Sequence, residues 1–145
     1  MVRLLPSVSL LLLSIFLLLA CNSNSTKKSK VFNPNGDSQL ALLMREMFDS
    51  SMEAKQKLEA NQAIDVLASF DHMKVVEATE PEKANSDLYK VMADAYLASV
   101  DAMNKAPKSH QKFNQMVDNC MGCHQAMCPG PMVKIERLYL GDRNN

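Results

Sequence analysis

The chain has 145 residues, with 16 Lys and Arg against 16 Asp and Glu and a formal net charge of zero. No basic surplus attracts nucleic acid, and no acidic surplus marks a long solvated tail. Four glycines and no tryptophan speak against an all-β sandwich or barrel, and four cysteines are too few for a disulfide-built mini-fold.

Arg3 precedes an apolar run, Leu10 to Leu19, broken only by Ser14. A membrane span needs about 20 apolar residues, so this shorter run fits the apolar region of a secretory signal. It closes on Leu18-Leu19-Ala20-Cys21, where the composition turns abruptly to Asn, Ser, Thr and Lys. That tetrapeptide resembles the bacterial lipobox. The resemblance implies cleavage before Cys21, a lipid on its sulfur, and a chain anchored at the extracytoplasmic face of a membrane in a bacterial cell envelope. Acyl chains contribute about 0.8 kcal/mol per buried CH₂, and stable anchoring takes two chains or signals, which a multiply acylated Cys21 supplies. Residues 1–20 are read as a signal peptide and 21–36 as the lipidated cysteine with a flexible polar tether. Losing residues 1–20 removes only Arg3 and leaves 15 cationic against 16 acidic side chains, net −1. Residues 37–145 are read as one domain.

The domain opens on a helical pattern at about 38–60. Leu40, Leu43, Met44, Met47, Phe48 and Met52 recur at three- and four-residue spacing, and Asp37 or Ser38 can cap the start. A second helix is expected at about 62–79, from Ala63, Ile64, Leu67, Ala68, Val75 and Ala78; Thr79-Glu80-Pro81 stops it. The third, at about 87–106, carries Leu88, Val91, Met92, Ala95, Ser99, Ala102, Met103 and Ala106 behind Ser86 as cap. Asp87, Asp94 and Asp101 mark its solvated face. The fourth follows Ser109 with Phe113, Met116, Val117, Cys120, Cys123, His124 and Met127, and Cys128-Pro129-Gly130-Pro131 ends it. A last short helical piece runs from Val133 to Leu140. No segment alternates with period two. The expectation is an all-α fold: an antiparallel up-down-up-down four-helix bundle with a short extra C-terminal helix.

Cys120-Met121-Gly122-Cys123-His124 is C-x-x-C-H, the spacing of covalent c-type haem attachment. Two thiols three positions apart on a helical turn can each form a thioether to one haem vinyl group, and the adjacent imidazole then reaches the iron from the same side. Export favours this reading, since haem attachment to such motifs takes place outside the cytoplasm. No βαβ pattern supports a thioredoxin-like dithiol, and no second C-x-x-C completes a zinc ribbon. A zinc set of Cys120, Cys123, His124 and Cys128 is conceivable, but one continuous helical turn suits a tetrahedron poorly.

The motif lies in the last long helix. Together with the helix count and the string Leu43-Met44-Arg45-Glu46, this resembles the class II c-type cytochromes, the cytochrome c-prime group and its low-spin relatives, over about residues 38–127. In low-spin members a Leu-Met-Lys string in the first helix carries the sixth iron ligand. The resemblance implies one covalent haem c, redox partner proteins, and a homodimer formed through the first two helices. The Cys128–Pro131 segment and the Ile135 to Leu140 piece depart from the group, whose last helix runs on past the histidine.

The sixth ligand can be placed by level. In antiparallel helices, His124 lies roughly 6 Å before the end of the fourth helix and Met44 roughly 9 Å into the first, at 1.5 Å rise per residue. A thioether is a soft ligand suited to haem iron, and His/Met ligation raises the potential. Met47, His72 and an open sixth site remain alternatives; His110, at the far end of its helix, is not a candidate. Leu40, Leu43, Phe48, Leu88, Met92, Met116, Val117 and Met127 are further candidates for the haem wall. No hydrolase elbow, phosphate loop or paired-carboxylate signature is present. The chain reads as a membrane-anchored carrier of single electrons rather than an enzyme, with Cys120 and Cys123 holding the haem, His124 proximal and Met44 distal. The alternatives are a haem protein whose open site binds nitric oxide or carbon monoxide, and a zinc-binding lipoprotein interaction module.

Overall fold

The computed structural model describes residues 36–141. The expected signal, Cys21 and the tether before Gly36 lie outside the described residues. Helix α1 spans Gln39–Glu59; Ser38 caps it, its Oγ accepting from Ala41 N–H at 3.2 Å. Leu43, Met47, Ser51, Ala54 and Leu58 form its buried face. The helix stops at Asn61, whose φ of 58° is left-handed. Asn61 N–H donates to Leu58 O at 2.9 Å and Gln62 N–H to Lys57 O at 2.8 Å, the paired bonds of a Schellman stop.

The next stretch corrects the expectation of a second helix at 62–79. Residues 62–70 form no regular element, and a 3₁₀ turn, Asp71–Lys74, follows. Ile64, Leu67, Phe70 and Met73 are all buried. A strict period of three drifts off the face of an α-helix, and here it marks the buried side of a non-helical strap. The strap's polar groups bond elsewhere. Ile64 N–H donates to Pro107 O at 2.9 Å, Leu67 is held by Asn104, and Leu40 N–H donates to Glu77 O at 2.8 Å near the far end. The strap therefore returns the chain along α1.

A one-turn helix, α2 (Pro81–Ala84), leads to α3 (Asp87–Lys105), capped by Ser86 Oγ on Tyr89 N–H. Its buried face is Tyr89, Ala93, Tyr96, Val100 and Met103. This too is a correction: Leu88 and Val91, expected inside, are 50% and 67% exposed. Counting purely aliphatic positions chose a face one residue off, because the tyrosines carry the true one. Asp87, Asp94 and Asp101 are solvent-facing and pair with Lys90, Lys74 and Lys105.

Residues 106–109 turn the chain into α4 (His110–Met127), capped by Ser109 Oγ on Lys112 N–H. α3 and α4 pack closely along their length, with Phe113, Met116, Val117 and Met103 wholly enclosed. α1 stands further from α4 than α3 does. After the Pro-Gly-Pro turn, α5 (Met132–Ile135) and a 3₁₀ turn (Glu136–Leu138) fold back onto the body and bury Ile135, Leu138, Tyr139 and Leu140. Asn114 fixes this segment, its Nδ2 donating to Leu140 O at 3.0 Å and its Oδ1 accepting from Leu140 N–H at 2.9 Å. Tyr139 O–H donates to Asp118 at 2.6 Å. The described fold is all-helical, without strands, and has three long helices where four were expected.

Candidate functional site

Cys120, Cys123 and His124 stand at i, i+3 and i+4 in the last two turns of α4, so they share one face. His124 is buried, and the two cysteines are partly covered free thiols. His124 Nδ1 lies 3.1 Å from Cys128 O. A carbonyl only accepts, so this bond puts the proton on Nδ1 and leaves Nε2 with its lone pair. Ligating histidines commonly have the outer nitrogen tied to a carbonyl in this way, which fixes ring and tautomer. The carbonyl is available because Pro129 ends the helix and Cys128 turns back, its own N–H donating to His124 O at 3.0 Å. Cys128 Sγ also lies 3.3 Å from Nδ1, and Cys128 as a residue is exposed.

His124 opens on a cleft lined by Met44, Met47, Phe48 and Ser51 of α1, Tyr96 of α3, Cys120 of α4, and Ile135 and Leu138 of the C-terminal segment. Met44 and His124 thus face the same space, as the level argument expects, and Met47 shares it. Ser51 is committed elsewhere, its Oγ donating to Met47 O at 2.8 Å. Lys134 covers the outer side of Phe48, its Nζ 4.0 Å from the ring centroid. His72 is exposed beside Phe70 and lies outside the cleft lining. His110 is at the far end of α4, its Nε2 3.3 Å from Leu58 O. Leu88 and Met92 are not among the lining residues.

The electrostatics separate the chemistries open to the two thiols. Burial pushes Cys120 up to about 12, and neighbouring Cys123 adds to the rise. Burial also raises Cys123 and Cys128, each from 9.0. A redox dithiol works through a thiolate stabilised by a helix N-terminus or a cation. These thiols lie at the negative end of a helix and stay protonated. Among the described residues no three His, Cys, Asp or Glu side chains converge as a metal set, so the grouping of Cys120, Cys123, His124 and Cys128 around zinc has no geometric support.

Two thiols, an imidazole with its outer nitrogen anchored and a thioether among apolar side chains across the cleft are the donor types that a covalently attached haem would use. The cleft itself is about 40 Å³, room for water-sized molecules. The cleft as it stands is far smaller than a macrocycle. No protein family, no curated protein and no solved structure matches the chain.

Sequence reasoning missed Ser51, Tyr96, Ile135 and Leu138. Tyr96 had a readable signal: Tyr89, Tyr96 and Met103 repeat every seven residues. The C-terminal contribution had none, because the Pro-Gly-Pro turn hides its direction.

Proposed function

We propose that this chain is a lipid-anchored monohaem c-type cytochrome of the class II type, carrying single electrons between partner proteins outside the cytoplasm. The observation that carries the reading is the shared cleft: buried His124, tied through Nδ1 to a backbone carbonyl, faces the space that Met44 lines, with Cys120 beside it. The haem supplies one-electron exchange when bound. Cys120 and Cys123 tether it, His124 offers Nε2 to the iron, Met44 offers its sulfur from α1, and the apolar wall excludes water. With His124 and Met44 both held by the fold among apolar side chains, little rearrangement would accompany a change of charge on the bound group.

The topology belongs to the same proposal. The long helices alternate as in an antiparallel up-down-up-down four-helix bundle, with the strap at 62–79 in place of the second helix. Lipid on Cys21, in the bacterial cell envelope, holds the domain at the membrane surface.

The test is a pyridine haemochrome spectrum with an intact mass, on protein exported by a host that attaches haem to C-x-x-C-H. The expected result is one haem per chain, lost when Cys120 and Cys123 are both replaced by alanine. Colourless protein at the mass of the bare polypeptide would refute the proposal.

A further inference from the structure

Six large apolar side chains are exposed among the described residues: Leu42, Val66, Val75, Leu88, Val91 and Val133. Single exposed apolar residues are ordinary, so their distribution is what informs. Five of the six lie at one end of the body. Leu40 N–H donates to Glu77 O at 2.8 Å, Thr79 Oγ1–H to Ser38 Oγ at 3.0 Å, and Lys83 Nζ to Met127 O at 3.4 Å. These bonds join the start of α1, the end of the strap, α2 and the end of α4 at this end, and Ser86 opens α3 there as well. Leu42, Leu88 and Val91 fall in the first five residues of α1 and α3, Val75 directly follows the 3₁₀ turn, and Val133 follows the end of α4. Val66 alone is at the opposite end, beside Leu67, which Asn104 holds near the end of α3.

We infer that this end of the body is a membrane-docking surface, its five apolar side chains entering the interfacial layer of a bilayer. This rests on the lipid-anchor reading above and not on the haem. The chain enters the body at this end, at Gly36, and Cys21 stands 15 residues upstream. Such a length spans at most about 50 Å, so an acylated Cys21 keeps this end at high local concentration beside the bilayer. Charge favours no other occupant, since Lys83 is paired with Glu80 and Lys90 with Asp87. The five side chains come from α1, the strap, α3 and α5. A rigid partner would have to match all four elements at once, whereas a fluid surface conforms to each. Docking also brings the last turns of α4, with Cys123 and His124, to the membrane-proximal end.

The chain contains no tryptophan, so a single introduced indole reports its own site. Val91→Trp and Val133→Trp place it at the docking end, and Val66→Trp at the other. The mature protein is made in a host that acylates Cys21 but does not attach haem, because a porphyrin would absorb the emission. It is then reconstituted in dioleoylphosphatidylcholine vesicles with or without brominated acyl chains. Val91→Trp and Val133→Trp are expected to shift to shorter wavelength and to lose most of their emission to the brominated lipid. Val66→Trp is expected to do neither, and Leu88→Glu added to Val91→Trp is expected to restore part of the lost emission. Acylated protein in which neither docking-end reporter is quenched, or in which Val66→Trp is quenched equally, overturns the inference and leaves the anchor reading intact. A shorter wavelength without bromine quenching, in protein at twice the monomer mass, also overturns it by assigning this end to a second copy. A mature mass without acyl groups on Cys21 removes the anchor reading and the inference together.

Discussion

Asn104 grips the backbone of Leu67 on both sides, its Oδ1 accepting from Leu67 N–H at 2.8 Å and its Nδ2 donating to Leu67 O at 3.0 Å. One side-chain amide on α3 thus stands in for the backbone partners that a segment outside regular structure lacks. It pins the strap at its centre, between Ile64 and Phe70.

Asn104→Ala therefore leaves two part-buried backbone groups unpaired. The cost expected is about 1–3 kcal/mol, read as a lower denaturant midpoint, with faster amide exchange at Leu67. Unchanged exchange at Leu67 would mean that packing alone holds the strap.

Met44 and Met52 both pack partly buried on α1, but only Met44 lines the cleft. Met44→Ala is expected to abolish the long-wavelength ferric band and lower the reduction potential; Met52→Ala is expected to do neither. Met47 is more deeply buried than either, so Met47→Ala is expected to cost about 2–5 kcal/mol of stability, as large-to-small core changes do. A loss of the band in Met47→Ala, with Met44→Ala unaffected, would move the ligand by one turn.

Cys120 gives haem-free protein a pH dependence with a definite sign. Its folded pKa, about 12, is above the ordinary 9.0. The unfolded chain sheds this proton first, so the stabilisation is complete below about pH 9 and is lost as pH rises toward 12. The gap corresponds to at most about 4 kcal/mol. A thioether has no proton to lose, so haem-loaded protein and Cys120→Ala should lack this component. Alkaline unfolding curves of the three forms check it. Coincident curves for haem-free parent and Cys120→Ala would show that the thiol is not enclosed.

Cys128 touches His124 twice, through its carbonyl and through its sulfur. Only the carbonyl is needed to hold Nδ1–H, and Cys128→Ala keeps it. That variant is expected to retain the haem and the potential of the parent within error. A large shift would assign the sulfur a part in orienting the imidazole.

The three long helices were legible because each couples a side-chain cap to a periodic face: Ser38, Ser86 and Ser109 sit where the chain enters α1, α3 and α4. The Cys120–His124 motif was legible because its chemistry is local to one turn. The strap was not, although its signal is plain in hindsight: Ile64, Leu67, Phe70, Met73 and Val76 recur strictly every third residue. Three fits a helix and an irregular strap almost equally well over a few residues, and the decision rests with Asn61 and Asn104, one ending the helix and the other supplying Leu67 with its backbone hydrogen bonds from α3. The face of α3 was misread for a different reason. A tyrosine buries its ring and needs a partner for its oxygen, and only the tertiary structure supplies Met73 O to Tyr89.

Ile135 and Leu138, which complete the wall opposite α1, come after the histidine in the chain, and the Asn114–Leu140 clamp seats them. A polypeptide emerging amino end first presents Cys120 and His124 before that wall exists. The cleft is therefore completed only by residues that follow the Pro-Gly-Pro turn, and a chain cut before Ile135 would lack one of its sides.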